Sequence, residues 1–279
     1  MQQVKGVIFD WAGTTVDFGS FAPVQAFLDT FREIGIEVKT EEIRRYMGMK
    51  KAEQLETLCT LPGIASQWEA RFGSESDTKN IQWLYESFEV NLFKTLSNYT
   101  DPIDGVPDLV ARLRQRGLKI GSTTGYSRQM MEVVVPCAEK KGYSPDLVVT
   151  PDEVPGGRPR PWMIWQNAMT LDLYPLSGVV KVGDTVADIQ EGVNAGTWVV
   201  GVVEGGNELG LSEEEHRALS WSDSESRKGT VASRLKWAGA HFVIDRIGLL
   251  DKALDDIEEL LGKGACPCRF YGEGRRIRE

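Results

Sequence analysis

Val7-Ile8-Phe9-Asp10-Trp11-Ala12-Gly13-Thr14-Thr15 starts as an apolar run, ends that run on a carboxylate and turns at once into a loop of small and hydroxyl-bearing residues. A short apolar run bounded by a turn reads as a buried strand, and a carboxylate just past its last residue stands above a sheet edge. Placed there, Asp10 is a candidate aspartyl nucleophile. A carboxylate that attacks phosphorus forms an acyl phosphate and splits one difficult displacement into two easier ones. Two residues later stands Ala12. A methyl group donates no proton, so a leaving group at this site must be activated by something other than residue 12.

Outward from this segment, short β-branched runs alternate with helical patterns. The sequence predicts strands over 4–9, 118–122, 147–150, 179–182 and 198–202, and helices over 106–116, 127–141, 160–171 and 186–195. That alternation argues for a parallel sheet covered on both faces, and right-handed crossovers make it a Rossmann-like three-layer α/β domain. Between the first two strands the rhythm breaks, and about 80 residues carry helical periodicity with no strand. Phe21, Val24, Phe27, Leu28 and Phe31 mark one amphipathic helix, and Ile81, Leu84, Tyr85, Phe88 and Leu92 another. Aromatic stripes at this spacing read as core. The expected organisation is therefore a catalytic core over 1–18 and 101–262 with an inserted α-helical cap over 19–100. Its hinges are Asp17-Phe18-Gly19 and Asp101-Pro102-Ile103-Asp104-Gly105. The Arg-rich end, 263–279, is expected to be a flexible surface tail.

The 279 residues are 41% hydrophobic, enough to bury a sizeable core in two domains of unequal size. Against 41 Asp plus Glu stand 32 Lys plus Arg, a formal net charge of -9, which argues against nucleic acid as a partner. Cys59, Cys137, Cys266 and Cys268 are too scattered for a disulfide framework and read as reduced thiols. Cys266-Pro267-Cys268 reads as part of a loose tail, since no second pair or nearby His completes a metal site. No apolar run approaches the roughly 20 residues of a membrane span. A strand that begins within a few residues of Met1 leaves no room for a secretory signal, so a cytoplasmic protein with no membrane partner is expected.

Three further segments bring chemistry to strand ends. Thr123-Thr124-Gly125 presents a hydroxyl and backbone N–H groups suited to phosphate oxygens, although a Thr-rich turn has the same appearance. Gly156-Gly157-Arg158-Pro159 sets a guanidinium on a loop, where it either neutralises a phosphoryl group beside the nucleophile or sits in solvent like most arginines. Gly183-Asp184-Thr185-Val186-Ala187-Asp188 puts two carboxylates four residues apart at a helix start. Hard oxygen ligands suit Mg2+, with Asp184 and Asp10 binding directly and Asp188 acting through water or by holding a Lys or Arg. As a helix cap the segment also makes sense. In this order, on a β-α pattern, the four segments are far more specific than any one of them. Active sites in such folds gather outside the carboxyl ends of the strands.

Asp10, Thr124, Arg158 and the pair Asp184 and Asp188 resemble the four motifs of the haloacid dehalogenase (HAD) superfamily across nearly the whole chain. Arg158 stands where many members have Lys. Ala12 stands where most carry a second Asp that protonates the oxygen of a phosphate ester. Within the superfamily, Phe9 to Asp17, Gly121 to Tyr126 and Gly157 to Met163 are similar to the phosphonoacetaldehyde hydrolases, or phosphonatases. That resemblance implies a cap lysine that condenses with the substrate aldehyde. Arg45-Tyr46-Met47-Gly48-Met49-Lys50-Lys51 matches the lysine segment, with Lys51 at the matching place. Its neighbour Lys50 points about 100° away around a helix.

The resemblance also implies Mg2+ held by Asp10, the backbone carbonyl of Ala12 and Asp184, with Asp188 behind them. Thr124, Gly125 and Arg158 then hold the phosphate, and a homodimer forms through the caps, where Trp83 and Tyr85 offer aromatic surface. Lys51 and Ala12 belong together chemically. Breaking a carbon–phosphorus bond leaves electrons on carbon, with no oxygen to protonate. An iminium on Lys51 receives those electrons as an enamine while Asp10 takes the phosphoryl group. The implied reaction converts phosphonoacetaldehyde to acetaldehyde and phosphate, in phosphonate degradation.

One departure stands out. Members of that family carry a His three residues after the lysine, on the same helical face, whereas this chain has Gln54, which cannot titrate. His216 and His241 lie far beyond the cap, so Glu53 or water is the expected substitute. Lys51 must also be partly neutral to attack. An ordinary lysine titrates near about 10.4, so burial or positive neighbours, with Lys50 and Arg45 the expected ones, must lower it. Three readings compete. A HAD phosphatase or phosphomutase acting on a small phosphorylated metabolite is disfavoured by Ala12. A catalytically idle metabolite-binding member is disfavoured by the joint presence of Asp10, Thr124, Arg158, Asp184 and Lys51. A receiver-like phosphorelay protein has no need of a cap.

Overall fold

The apolar run near the start of the chain forms β1 (Gly6–Phe9), every residue of it buried, in a computed structural model that describes residues 3–270 and 275–277. It is the third strand of a seven-stranded, all-parallel sheet ordered β3-β2-β1-β4-β5-β6-β7. The other strands are β2 (Lys119–Thr123), β3 (Leu147–Val149), β4 (Val179–Gly183), β5 (Trp198–Val202), β6 (Phe242–Ile244) and β7 (Arg275–Ile277). Val7 and Phe9 of β1, Val180 and Val182 of β4, and Val200 and Val202 of β5 face one layer of the core. Ile8 and Val179 join α8 (Trp162–Thr170), and Val199 joins α9 (Val186–Ala195) and α11 (Trp221–Trp237), on the opposite face. This period of two, apolar on both sides, is what a doubly covered parallel sheet requires. Helices α6 (Val106–Gln115), α7 (Arg128–Lys140), α10 (Glu213–Ala218) and α12 (Leu250–Gly262) complete the core. The α/β, three-layer reading of the sequence holds.

Two elements differ from expectation. β6 is three residues long, too short for its pattern to stand out from a loop, and the sequence reading passed over it. The end of the chain was expected to be a flexible tail throughout 263–279, yet Arg275–Ile277 pairs with β6 as the last strand of the sheet. Main-chain pairing at a sheet edge asks little of side chains, so Arg275-Arg276-Ile277 carries no apolar signature. Arg276 is held by Asp245 at 2.7 Å, and Ile277 is buried.

Between β1 and α6 lie five α-helices: α1 (Phe21–Glu33), α2 (Thr40–Arg45), α3 (Lys51–Cys59), α4 (Pro62–Phe72) and α5 (Thr78–Phe93). Phe27 of α1 packs on Phe88 of α5 with ring centroids 4.4 Å apart. Phe31, Leu84 and Leu92 are buried beside them, so both aromatic stripes serve as core. The two chain crossings run side by side, Val16 bridging to Pro102. At the first crossing the Asp17 carboxylate accepts the N–H groups of Phe21 and Ala22 at 3.0 and 3.1 Å, capping α1. Among the described residues no helix is long and apolar enough to cross a membrane.

Candidate active site

β1, β2 and β4 end level with one another, Phe9 pairing with Ser122 on one side and Val182 on the other. The residues that follow therefore converge: Asp10 after β1, Thr123 and Thr124 at the end of β2, Asp184 after β4. Asp10 donates its N–H to Val182 O at 2.9 Å, extending the ladder by one bond and fixing where its carboxylate stands.

Arg158 comes from the loop before α8 and is 1% exposed, buried where most arginines are solvated. Each of its five N–H positions has an acceptor. Nε meets Glu191 at 2.9 Å; Nη1 meets Asp188 at 3.0 Å and Gly48 O at 3.4 Å; Nη2 meets Asp10 at 2.7 Å and Thr123 Oγ1 at 2.8 Å. Lys181, in the middle of β4 and wholly buried, contacts Asp188 at 2.9 Å, Glu191 at 3.3 Å and Thr123 Oγ1 at 2.8 Å.

Carboxylate oxygens of Asp10, Asp184 and Asp188 lie within 4.8 Å of one another, all three buried. Thr14 Oγ1 and the Asn207 N–H donate to Asp184 at 2.6 and 2.7 Å. Burial, then repulsion from Asp10 and Asp188, pushes Asp184 well above the usual carboxylate range. Burial followed by repulsion from Asp188 raises Asp10 despite Arg158 and Lys181. Burial also acts to raise Asp188, but Arg158 and Lys181 together hold it low. Counted formally, Asp10, Asp184, Asp188 and Glu191 set against Arg158 and Lys181 leave an excess of two negative charges in a buried site, the repulsion that raises Asp10 and Asp184 being what a cation among them would relieve. Three crowded oxygen donors with that excess fit a hard divalent cation. The Ala12 carbonyl accepts the Ser20 hydroxyl at 2.8 Å, and Ala12 lines the same cavity as Asp10.

That cavity is also lined by Lys51, Thr124, Gly125 and Arg158. Asp184 and Asp188 lie beside Asp10 at its inner end. Thr124 Oγ1 accepts the Tyr126 N–H at 3.1 Å. The loop between α2 and α3 forms part of the cavity wall through Met47 and Gly48. A Cβ on Gly125 would stand 2.5 Å from Met49 O, and one on Gly48 (φ +86) would stand 2.4 Å from Thr185 Oγ1. Arg44 ties the same region to the core, donating to Gly19 O at 2.7 Å and to Asn207 Oδ1 at 3.1 Å.

Lys51 opens α3 and is 3% exposed, its Nζ donating to Gln54 Oε1 at 3.1 Å and lying over the rings of Phe27 and Tyr126. Burial lowers its pKa to about 7; Asp10 opposes the shift and Arg158 adds to it. The positive neighbours expected from the sequence are therefore the wrong ones. Lys50 points outward to Asp152 at 3.2 Å, and Arg45 is exposed. Gln54 is buried on the Lys51 face, its amide fixed by donation to Ile43 O at 3.1 Å. Glu53, considered as a proton carrier, faces Arg160 at 3.6 Å instead.

All eight residues singled out from the sequence thus meet at one end of the sheet. Those missed are Lys181, Glu191, Thr14 and Asn207. A lysine inside Val179-Val180-Lys181-Val182 was the available signal, because a charge there has no water to reach.

A family model for haloacid dehalogenase-like hydrolases matches residues 4–196. A phosphonoacetaldehyde hydrolase of Bacillus cereus (strain G9842) is 47% identical over 257 residues, spanning 92% of this chain and 97% of that one. A bifunctional phosphonoacetaldehyde hydrolase/aminoethylphosphonate transaminase of Clostridioides difficile (strain 630) is also 47% identical over 257 residues, covering 40% of its length. The crystal structure of a phosphonoacetaldehyde hydrolase-like protein from Oleispira antarctica superposes with a TM-score of 0.93 at 37% identity, covering 95% of this chain and 96% of the other.

Proposed function

The chain belongs to the haloacid dehalogenase-like hydrolases and, among them, to the phosphonoacetaldehyde hydrolases, and from that premise we propose that it cleaves phosphonoacetaldehyde to acetaldehyde and inorganic phosphate, in phosphonate degradation. The observation that carries the proposal is the meeting of Lys51 and Asp10 in one cavity, with Ala12 in place of an acid. A lysine amine lowered to about 7 is about half neutral at neutral pH and adds to the aldehyde carbon; loss of water gives an iminium. Asp10 attacks phosphorus, the carbon–phosphorus bond breaks, and its electron pair moves into the iminium to give an enamine on Lys51. Protonation of the enamine carbon and hydrolysis of the imine release acetaldehyde. Water attack on the aspartyl phosphate releases phosphate and regenerates Asp10.

Arg158, with Nη2 on Asp10, sets positive charge where the phosphoryl group arrives. Thr124 and Gly125 line the same wall. Asp10, Asp184 and the Ala12 carbonyl, with Asp188 behind, would hold Mg2+, which would supply charge neutralisation at the transferring group. Gln54 takes no proton; its fixed carbonyl accepts from Lys51 Nζ and aims the amine. A homodimer through the helical insertions belongs to the same proposal, supported by Trp83, which is 45% exposed, whereas Tyr85, expected beside it as aromatic surface, is half-buried against the core; sedimentation tests it.

The deciding experiment adds borohydride together with phosphonoacetaldehyde and Mg2+, then maps peptides. A stable secondary amine is expected on Lys51 and none on Lys50, with Lys51→Arg losing both label and turnover. Turnover without any label would refute the imine. Label on Lys50 would refute the assignment of the amine.

A further inference from the structure

Lys181 and Glu191 take no part in the steps above, yet they occupy the core directly beneath them. Both are wholly buried. Asp188 and Glu191 are three residues apart on α9, so they share a helix face, and that face lies against Lys181 of β4. Glu191 Oε2 gathers three donors: Arg158 Nε at 2.9 Å, Thr123 Oγ1 at 3.0 Å and Lys181 Nζ at 3.3 Å. Glu191 Oε1 has no hydrogen-bond partner among the described residues. Taken as structure alone this is a poor arrangement. An apolar pair of similar volume would fill the space without desolvating two charges, and such replacements are often neutral or stabilising.

The arrangement makes sense through Arg158. A guanidinium with only its terminal nitrogens engaged can pivot about Nε. With Nε fixed by Glu191, and with Thr123 Oγ1 bridging Nη2 to the same carboxylate, the plane of the fork is set and both terminal nitrogens are turned toward Asp10 and Asp188. Lys181 neutralises the remaining charge of Asp188 and Glu191, so that Arg158 is not drawn down into the acidic pair. We propose that Glu191 is a positioning residue that fixes the guanidinium of Arg158 for the phosphoryl group, with Lys181 as its counter-charge and Thr123 as the bridge. The inference rests on the reading of Arg158 as a phosphate-binding group.

The test measures binding of inorganic phosphate to the Mg2+-loaded protein by calorimetry, alongside thermal unfolding, for wild type, Glu191→Gln, Arg158→Lys and the double variant. Glu191→Gln is expected to weaken phosphate about tenfold in the folded protein, the scale of one charge-assisted contact. In the Arg158→Lys background, where no Nε–H remains to be aimed, the same change should add almost nothing. A role confined to stability would lower the melting temperature while leaving phosphate affinity unchanged, or would act equally in both backgrounds; either result overturns the proposal. Arg158→Met, which carries no donor, tests the reading of the site itself: if it binds phosphate as wild type does, that reading fails first, and the inference with it. Should Glu191→Gln not fold, Thr123→Val removes the bridge from the other side and faces the same two criteria.

Discussion

Lys51 lets the burial of the amine be measured without any substrate. In the unfolded chain it holds its proton to its ordinary value of 10.5, and in the folded protein it gives the proton up near about 7. Between those two values the unfolded state binds more protons than the folded one, so this residue makes stability rise with pH. Below the folded value both states are protonated and the contribution is flat. Integrating over that window, wild type should gain about 2 kcal/mol between roughly pH 7 and pH 9, and almost nothing between roughly pH 5 and pH 6. Lys51→Met fills the same space with no titrating group. It also leaves Gln54 Oε1 without its donor, a loss of about 1–3 kcal/mol that does not change with pH. The absolute stability of the variant therefore depends on two opposing effects, whereas the slope of the difference between the proteins depends on one. Urea unfolding of both proteins across that range, at fixed ionic strength, gives the difference curve. The variant should be the more stable partner by the widest margin at the acid end, with the margin closing as pH rises. A flat difference curve would refute the claim that the fold lowers the Lys51 pKa, and with it the account of how Lys51 attacks an aldehyde at neutral pH.

Asp184→Ala should raise the Mg2+ concentration needed for activity about tenfold or more, read in a metal titration and by calorimetry with Mg2+ alone; an unchanged titration would move the cation elsewhere. Ala12→Asp places another carboxylate beside the three that already crowd the site, and should depress phosphonoacetaldehyde turnover without turning the protein into an efficient esterase. Wild-type turnover in that variant would show that position 12 does not separate the two chemistries. Gly125→Ala should leave the core folded but hold the α2–α3 loop away from the cavity, since the new methyl lies 2.5 Å from Met49 O; kcat/KM should fall about tenfold or more, and unaltered kinetics would mean that the loop has room to yield.

The sheet was legible where its strands are long and buried on both faces, because an apolar run there has no competing explanation. β6 and β7 escaped for opposite reasons: β6 is short, and β7 reads as charge because its partner needs only its main chain. The ends of β1, β2 and β4 could be read as a site since carboxylates and hydroxyls directly after apolar runs fall on one rim. The surroundings of Arg158 could not, because a loop carries no periodicity to say which side chains turn inward. Glu191 lay hidden inside a helix where acidic residues are ordinary. The cause of the Lys51 shift was likewise beyond reach: sequence neighbours Lys50 and Arg45 face away, while the burial that dominates the shift, and Arg158 that adds to it, come from the fold.

The contact between the α2–α3 loop and the core beside the cavity is made largely of main chain. Met49 contributes a carbonyl, Gly125 the absence of a side chain, and Gly48 a left-handed turn that slips beside Thr185. A seam of this kind is indifferent to most of the alphabet and unforgiving at a few letters. In a library that varies every position of this loop, tolerance should be broad at solvent-facing places such as Arg45 and drop abruptly at Gly48, with its counterpart at Gly125 across the gap. Attempts to broaden the range of aldehydes accepted would then do best to change the side chains that line the cavity, Met47 and Pro23 among them, and to leave the seam as it is.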